Sequence, residues 1–494
     1  MKNIRILALF FIYCGAVLQG CTVGPDFVRP EPPKETQYTH GDEPSKTQSG
    51  AGTVQSFEVG AKVPENWWRL FHPSKLDPVV ASVLKRNSAL QAALASLRQS
   101  QQSVFAGEGV FYPQVNAAFG ASRERSNPIS VGVNVPPSIF NLLTLSGSVS
   151  YALDLFGGNR RAVEGLQAQA DYQRYTVLAT YLTLTGNAMN AVIARAAYQA
   201  EIEATQEVVR AEKEQVALTQ ANVSGGTAAE SVLLSLKSQL AATEATLPPL
   251  ALKFNQTEHL LAVLSGETPV QWTSPQIAFS DIKLPESLPK TLPSELVRQR
   301  PDILQSEAQL HAACAQVGVA TAALFPSFTL GANAGIANTS AGSLFSTGSS
   351  FWSFGADITA PLFRGGTLSA QKQAAVEGFQ AALANYRQTV LAGFQQVADA
   401  LRALEHDAEL VRAQSDVLES AEEALALVQA NYKAGTAGYL QLLTADTQYF
   451  QAKIGFLQGS AQRLQDTVAL FIALGGGWWN LPSGDIQQVG KQAP

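Results

Sequence analysis

The sequence predicts a mixed α and β membrane protein with four strands and several long helices per chain, laid out as an internal duplication. Three observations carry the prediction. A strand runs straight into a helix of coiled-coil length, and the same move recurs some 200 residues later. Past an N-terminal export signal, no apolar run reaches the ~18 residues of a transmembrane helix. If the chain spans a membrane, it does so with strands.

The first junction is Leu145–Arg161, LSGSVSYALDLFGGNRR. Leu145, Val149, Tyr151, Leu153 and Leu155 alternate with Ser146, Ser148, Ser150, Ala152 and Asp154, the period of a strand with one apolar face. At Gly157-Gly158 the pattern turns helical and stays so for about 65 residues. The second junction, Ser353–Gly366, sets Phe354, Ala356, Ile358, Ala360 and Leu362 against Ser353, Gly355, Asp357 and Thr359, and also stops at a Gly-Gly. An earlier strand over Phe111–Ser122 alternates Val115, Ala117, Phe119 and Ala121 with Gln114, Asn116, Ala118 and Gly120.

The chain has 494 residues, of which 15% are charged, against about 25% in ordinary soluble proteins. The net charge of −6 becomes −8 once Lys2 and Arg5 leave with a signal, so nothing points to nucleic acid. Cys14, Cys21 and Cys314 and five scattered histidines form neither a zinc spacing nor a disulfide framework. His311 and Cys314, on one helix, read as packing rather than as metal ligands. No nucleophile elbow, phosphate loop or dinucleotide fingerprint sits in a credible context, so neither an enzyme nor a cofactor is expected.

Met1–Arg5 is basic, Ile6–Val17 is a short apolar run, and Leu18-Gln19-Gly20-Cys21 follows. Residues 1–20 read as a lipoprotein signal peptide, with Cys21 lipidated and left as the new N-terminus; the alternative is an ordinary signal with a chance cysteine. Two or more acyl chains anchor stably, at ~0.8 kcal/mol per buried CH₂. Thr22 after the cysteine, rather than Asp, implies the outer membrane. Residues 21–65 are Pro-, Glu-, Gly- and Thr-rich and read as an extended, partly disordered tether. Trp67, Trp68 and Phe71 read as a patch that docks on the body. The first repeat then runs over 66–265, a Pro-rich connector over 266–293, the second repeat over 294–477 and a tail over 478–494.

Each repeat reads as helix–strand–strand–helix–helix, with helices expected over 75–107, about 159–222 and about 228–264 in the first. Pro113 and Pro326 stand 213 residues apart, as do Ala162-Val163-Glu164-Gly165 and Ala375-Val376-Glu377-Gly378. Gln220-Ala221-Asn222 with Gly226-Thr227-Ala228 recurs 209 residues on as Gln429-Ala430-Asn431 with Gly435-Thr436-Ala437. In the second long helix Val390, Phe394, Val397, Leu401, Leu404, Ala408, Val411, Leu418, Ala421, Leu425, Val428 and Tyr432 step by 3 and 4 with one gap of 7. That is a coiled-coil seam. At ~1.5 Å per residue such a helix is about 100 Å long, more than a compact domain or a bilayer uses.

Four strands cannot close a barrel, and an open edge in lipid costs several kcal/mol for each unpaired backbone group. The chain must oligomerise: a dimer supplies eight strands and usually a filled interior, a trimer twelve. The inward positions are mostly Ser, Gly, Asn, Ala, Thr and Asp, which leave a wet lumen and favour twelve. The helices continue the strands and are expected to form a second cylinder. A soluble β-sandwich with a coiled-coil stalk is the bland alternative.

The chain resembles the outer-membrane factors of bacterial tripartite efflux pumps, the TolC-like channels, and among them the NodT-type lipoproteins. The residues that carry the resemblance are Cys21-Thr22-Val23-Gly24-Pro25-Asp26-Phe27, Trp68 with Phe71, Arg300-Pro301-Asp302-Ile303 with Glu307-Ala308, Phe325-Pro326, Leu362-Phe363-Arg364-Gly365-Gly366, Tyr386-Arg387-Gln388-Thr389-Val390-Leu391 and Leu474-Gly475-Gly476-Gly477-Trp478. It implies a homotrimer, a twelve-stranded barrel in outer-membrane lipid and a twelve-helix coiled-coil tunnel in the periplasm. The partners implied are a periplasmic adaptor (membrane fusion) protein and a proton-driven inner-membrane pump, and catalysis is not implied.

The resemblance also places function at two points. The hairpin turns, with Gly225, Gly226, Thr227 and Ala228 in one and Gly435, Thr436 and Ala437 in the other, would be adaptor-binding tips; without it they are plain αα-hairpin turns. Just past the second tip, Tyr439, Leu440, Gln441, Leu443, Thr444 and Asp446, with Glu230 in the first repeat, would form the periplasmic gate. Relatives carry acidic residues where Gln441 and Thr444 stand, so a hydrogen-bonded or apolar constriction competes with an acidic ring. The duct would pass small toxic compounds or drugs; an exit duct for type I polypeptide secretion, or a passive porin, are the rival readings.

Overall fold

The computed structural model describes residues 22–41, 45–47, 53–72, 74–126 and 136–480. Cys21 and the residues expected to form a signal peptide lie outside these residues, as do residues 127–135 and 481–494. Six strands are described: β1 (Ser56–Val59), β2 (Gln114–Ser126), β3 (Ser138–Leu153), β4 (Ser287–Lys290), β5 (Ser327–Asn338) and β6 (Ser350–Thr359). The helices are α1 (Leu76–Arg86), α2 (Ser88–Glu108), α3 (Gly158–Ser224), α4 (Glu230–Glu244), α5 (Leu247–Leu264), α6 (Pro293–Gln299), α7 (Pro301–Ala322), α8 (Thr367–Lys433) and α9 (Tyr439–Ala473). The two long helices, α3 and α8, have 67 residues each. The chain forms two compact units, and each draws on both repeats: residues 1–29, 97–173 and 306–386 in one, the remainder in the other.

The first unit holds one antiparallel sheet of four strands in the order β2-β3-β5-β6. Val115 faces Val149, Leu145 faces Ile336 and Phe354 faces Ala332, so most of the apolar residues of the four strands share one face, while Phe140, Leu142 and Phe351 lie on the other. That face is bare: Phe119, Trp352 and Phe354 are 67%, 81% and 73% exposed. The outer edges of β2 and β6 have no partner strand among the described residues.

At the β3–α3 junction Asp154 accepts hydrogen bonds from the backbone N–H groups of Asn159 (3.1 Å) and Arg160 (2.9 Å), which caps the helix. Gly157 takes φ +77°, the left-handed turn that lets a strand become a helix within a few residues. The described part of the tether begins here. Val23 donates its N–H to Phe156 O at 3.0 Å, and Gly24 crosses Gly318 so closely that a Cβ would stand 2.6 Å from the Gly318 Cα. Asp26 pairs with the buried Arg161, which reaches Glu164 at 2.7 Å; Glu164 in turn bonds His311 at 2.8 Å. The Phe27 ring stacks on His311 at 4.3 Å. His311 is thus held by a carboxylate and a ring, and the buried Cys314 lies 3.6 Å from Pro25 O.

The second unit is helical around a core of Trp67, Phe71, Leu288, Leu296 and Phe471, all at most 1% exposed. The Trp67 and Phe471 rings stack at 5.2 Å, and Phe71 meets both edge-on. Full burial of each such side chain stabilises by about 1.5–3 kcal/mol. The Arg-Pro-Asp motif has a local logic. Pro301 opens α7, where its missing N–H is no loss. Buried Arg300 donates to Ala473 O (2.7 Å), to Gln396 (2.7 Å) and to both oxygens of Asp302 (3.0 and 2.6 Å). One guanidinium so joins α7, α8 and the end of α9.

Four departures from the sequence reading have physical causes. The helix expected over 75–107 breaks at Asn87, whose side chain accepts from the N–H groups of Ala89 and Leu90 and donates to Leu264 O. The helix expected over 228–264 breaks before Pro248-Pro249, which occupy the first turn of α5. The tether is not free where it is described: β1 pairs in parallel with β4 of the connector, and Gln55, Phe57 and Val63 are buried. Buried Arg463 holds that stretch through Gln55, Thr47 and Thr53 O at 3.0–3.2 Å. Finally, α3 does contain an apolar stretch long enough to cross a membrane by composition, but 61% of it is buried inside the protein, as in a core helix.

The seam of α8 grades along its length. Val397, Leu401, Leu404, Ala408 and Val411 are buried, whereas Leu418, Ala421, Leu425, Val428 and Tyr432 are only half-buried.

Candidate functional site: the hairpin turns and the first turns of α9

Both hairpin turns are built alike from the end of a long helix. In the first, Gly226 N–H bonds Val223 O at 3.0 Å and Thr227 N–H bonds Asn222 O at 2.9 Å. In the second, Gly435 N–H bonds Tyr432 O at 3.0 Å and Thr436 N–H bonds Asn431 O at 2.9 Å. These are the two crossed bonds of a Schellman cap, with Gly226 and Gly435 each at φ +75° in the left-handed position it needs. The threonine hydroxyls add a bond to the same asparagine carbonyls, at 3.0 and 3.1 Å. A Cβ on either glycine would meet nothing within 4 Å, so the backbone angle demands glycine and the space around it is open. Gly225 and Ala434 N–H groups complete the last helical turns; Ala228 and Ala437 are half-buried beyond them.

The gate candidates separate onto two faces of α9. Leu440, Gln441 and Thr444 are exposed, with Leu440 at 71%. Gln441 is engaged locally, since its Oε1 accepts the Gly438 N–H at 3.1 Å and caps the helix. Thr444 donates to Leu440 O at 2.8 Å. Tyr439, Leu443 and Asp446 lie on the other stripe with the buried Leu442 and Ala445, turned into the chain. Glu230 is exposed in the first turn of α4, where the helix dipole favours it.

What Tyr439 and Asp446 approach is Glu212 of α3, which is 4% exposed. Thr243 donates to Glu212 Oε1 at 3.0 Å, while Glu212 Oε2 and the Tyr439 hydroxyl are buried without hydrogen-bond partners. Burial pushes the Glu212 carboxyl above its ordinary range. Burial, reinforced by the Glu212 charge, raises Asp446 to about 6, and Tyr439 is pushed up to about 12 by the same causes. Glu212 escaped the sequence reading, yet a signal was present: Val209, Glu212, Val216 and Thr219 step by 3, 4 and 3, which puts a glutamate on a seam. Nothing in this arrangement is a nucleophile with a base, and no group of three metal-ligating side chains occurs among the described residues.

Residues 79–267 and 292–476 match the family described as outer membrane efflux protein, once per repeat. The chain belongs to this family. Its members are channels rather than enzymes, so the protein is an outer-membrane channel component of an efflux pump, and a pump partner is implied. It is 30% identical to the antibiotic efflux pump outer membrane protein ArpC of Pseudomonas putida over 97% of both chains. It is 29% identical to nodulation protein T of Rhizobium leguminosarum bv. viciae over 94% of this chain and 92% of that protein. Among solved structures, the outer-membrane channel OprN superposes with a TM-score of 0.82 at 27% identity, covering 93% of this chain and all of that one. The duplication, the four strands and the long helices are those of the TolC-like fold.

The raised carboxyls carry a sign. A carboxyl whose folded pKa lies above its unfolded value of ~3.9 binds its proton more tightly when packed, so its packing is strongest at low pH and weakens as pH rises through the folded value. For Asp446 that window runs from about 4 to about 6. Asp446→Asn removes the charge and should stabilise the protein at pH 7.5 by about 1 kcal/mol after solvent screening. Thermal melts of parent and variant at pH 7.5 and pH 4.5 check this; a gap as large at pH 4.5, or of opposite sign at 7.5, overturns it.

Proposed function

We propose that this protein is the exit duct of a tripartite pump that expels small toxic organic compounds or drugs. Three copies close their four-stranded sheets into a twelve-stranded barrel, and their helices continue as a twelve-helix periplasmic tunnel. An adaptor protein meets the tips, and a proton-driven inner-membrane pump supplies the energy. The observation that carries the reading is a sheet with two open edges and a bare apolar face, in a chain of the outer membrane efflux protein family. Strands satisfy all backbone groups in lipid only when closed, and lipid covers the apolar face. Small molecules rather than polypeptides are supported by the name of ArpC, an antibiotic efflux component.

Lipidation of Cys21 is supported by how Thr22 and Val23 are held. Val23 is bonded to Phe156 and Thr22 lies against Gly157, so the residues that follow Cys21 are held beside the end of β3, where the strands give way to helices. Acyl chains there are at the level of the barrel's membrane rim.

The hairpin turns serve as adaptor contacts, since their glycines leave open space for close approach. Tyr439, Leu443, Asp446 and Glu212 set how tightly the second hairpin packs on the first, and Leu440, Gln441 and Thr444 present the exposed face of the constriction. Glu230 lies beside the first tip. Opening is a population shift, with adaptor and pump binding the open tips better than the closed ones.

Three outcomes are expected. Deletion of the gene raises sensitivity to, and cellular accumulation of, some members of a panel of antibiotics, dyes, detergents and aromatic acids; an unchanged panel with an exported protein retained inside the cell favours the secretion reading instead. Gly435→Val, which forces a β-branched residue to φ +75° at a cost of about 1–2 kcal/mol, weakens adaptor capture while trimers persist on native gels. Loss of trimer without a specific adaptor defect contradicts the tip assignment. The mature protein's mass shows an N-terminal Cys21 carrying acyl chains, and Cys21→Ser lacks them; an unmodified parent overturns the anchor.

A further inference from the structure

The two open edges of the sheet are chemically different and complementary. The β6 edge carries Phe354 and Trp352 on its apolar face, both exposed. The β2 edge carries Arg123 and Arg125 on the same face, also exposed. The internal seam between β3 and β5 has nothing of the kind: Leu145 faces Ile336 and Leu143 faces Asn338.

The duplication dictates how such edges meet. Gln114 and Ser327 are equivalent, 213 residues apart, and their cross-strand partners Ser150 and Thr359 lie 209 apart. Each hairpin is therefore a copy of the other, and the step from β3 to β5 is the step from one hairpin to the next. A closed barrel of like hairpins repeats that step from β6 of one copy to β2 of another. Carried over, Val149 facing Ala332 becomes Ile358 facing Phe119. Leu145 facing Ile336 becomes Phe354 facing Arg123, and Leu143 facing Asn338 becomes Trp352 facing Arg125.

We propose that the subunit seam of this channel is a β6–β2 ladder between two copies of the chain, in the register Ile358–Phe119, Ala356–Ala121, Phe354–Arg123 and Trp352–Arg125, clasped by two arginine–aromatic pairs. It rests on the oligomeric barrel proposed above and adds to it the register and the recognition chemistry.

Two independent features agree on it. The register keeps apolar faces together: Ile358, Phe354 and Trp352 meet residues of the outer face of β2, while Asp357 and Ser353 meet Gly120 and Glu124 on the inner face. A slip of one residue would turn every side chain of one strand to the wrong face. Slips of two keep the faces but break the pairs. In one direction Phe354 faces Ala121 and Arg125 faces Ser350; in the other Phe354 takes Arg125 and Arg123 faces Ala356. Of these registers, only the repeat-derived one gives Phe354 and Trp352 an arginine each. A guanidinium over an aromatic face is attracted by the ring quadrupole, and more so where water is scarce. The β3–β5 seam, which joins strands of one chain, lacks this chemistry, so it marks the places where separate chains must find each other.

The test is disulfide trapping in the full-length lipoprotein in its own outer membrane. Two double variants sample the two kinds of antiparallel pair, Ala356→Cys with Ala121→Cys on the outer face and Gly355→Cys with Ser122→Cys on the inner, because one face holds the hydrogen-bonded pairs and the other the non-hydrogen-bonded pairs, whose side chains lie closer. Controls pair Ala356→Cys with Phe119→Cys or with Arg123→Cys. Directly opposite residues fall within disulfide reach and diagonal ones largely outside it, so mild oxidation should link at least one matched pair roughly tenfold more than either control. Stronger linkage in a control overturns the register and leaves the oligomeric barrel standing. Monomers on native gels, with no link at any pair, overturn the barrel and the register together. For the clasp, Phe354→Leu with Trp352→Leu, and Arg123→Gln with Arg125→Gln, should each lower the temperature at which trimers dissociate in detergent. The quadruple variant should lower it no further than either pair alone; additive losses overturn the arginine–aromatic contact.

Discussion

Backbone hydrogen bonding in a medium without water is the constraint on which this protein turns. Each strand needs a partner on both sides, and among the described residues one chain supplies a four-stranded sheet with two bare edges. The apolar face is just as incomplete, since its largest side chains are open to whatever surrounds them. Neither shortage is a defect of folding. Both define a chain whose sheet is finished by copies of itself and by lipid.

The junctions show how a sheet of that kind is joined to long helices at small cost. Asp154 satisfies helix N–H groups that would otherwise lack partners, and glycines make the turn. Around the first junction the N-terminal stretch is sewn down by Asp26, Arg161, Glu164, His311 and Phe27. In the helical unit Arg300 and Arg463 do similar work from buried positions, each bonded to several groups far apart in the chain. Such residues are costly to leave unpaired, so they specify one arrangement of helices rather than merely adhesion. Glu212 and Asp446 are the opposite case: buried or half-buried acids without full compensation, beside the second hairpin turn.

Much of the fold was legible. Period-2 stretches located three of the four strands of the large sheet, and motif spacings of 213 and 209 residues revealed the duplication that also placed the fourth. The hairpin glycines were legible because a left-handed helix cap has few alternatives. The tether was misread over 53–63 because β1 finds its partner in β4, about 230 residues away, and pairing of that range leaves no local periodicity. The division of the candidate gate residues into two faces was missed for a related reason. Tyr439 and Leu440 are neighbours in sequence, and only the course of α3 beside α9 decides which of them is covered.

The sequence by itself determined the fold family, the repeats, the seam of α8 and the positions of the turns, because each rests on a local pattern of side chains or backbone angles. Tertiary structure decided the docking of Asn87 on Leu264, the capture of the N-terminal stretch, the network of Arg300 and the meeting of Glu212 with Asp446. Those depend on which distant groups arrive within about 3 Å of one another, and hydrogen bonds and buried charges are set by that distance and by the exclusion of water.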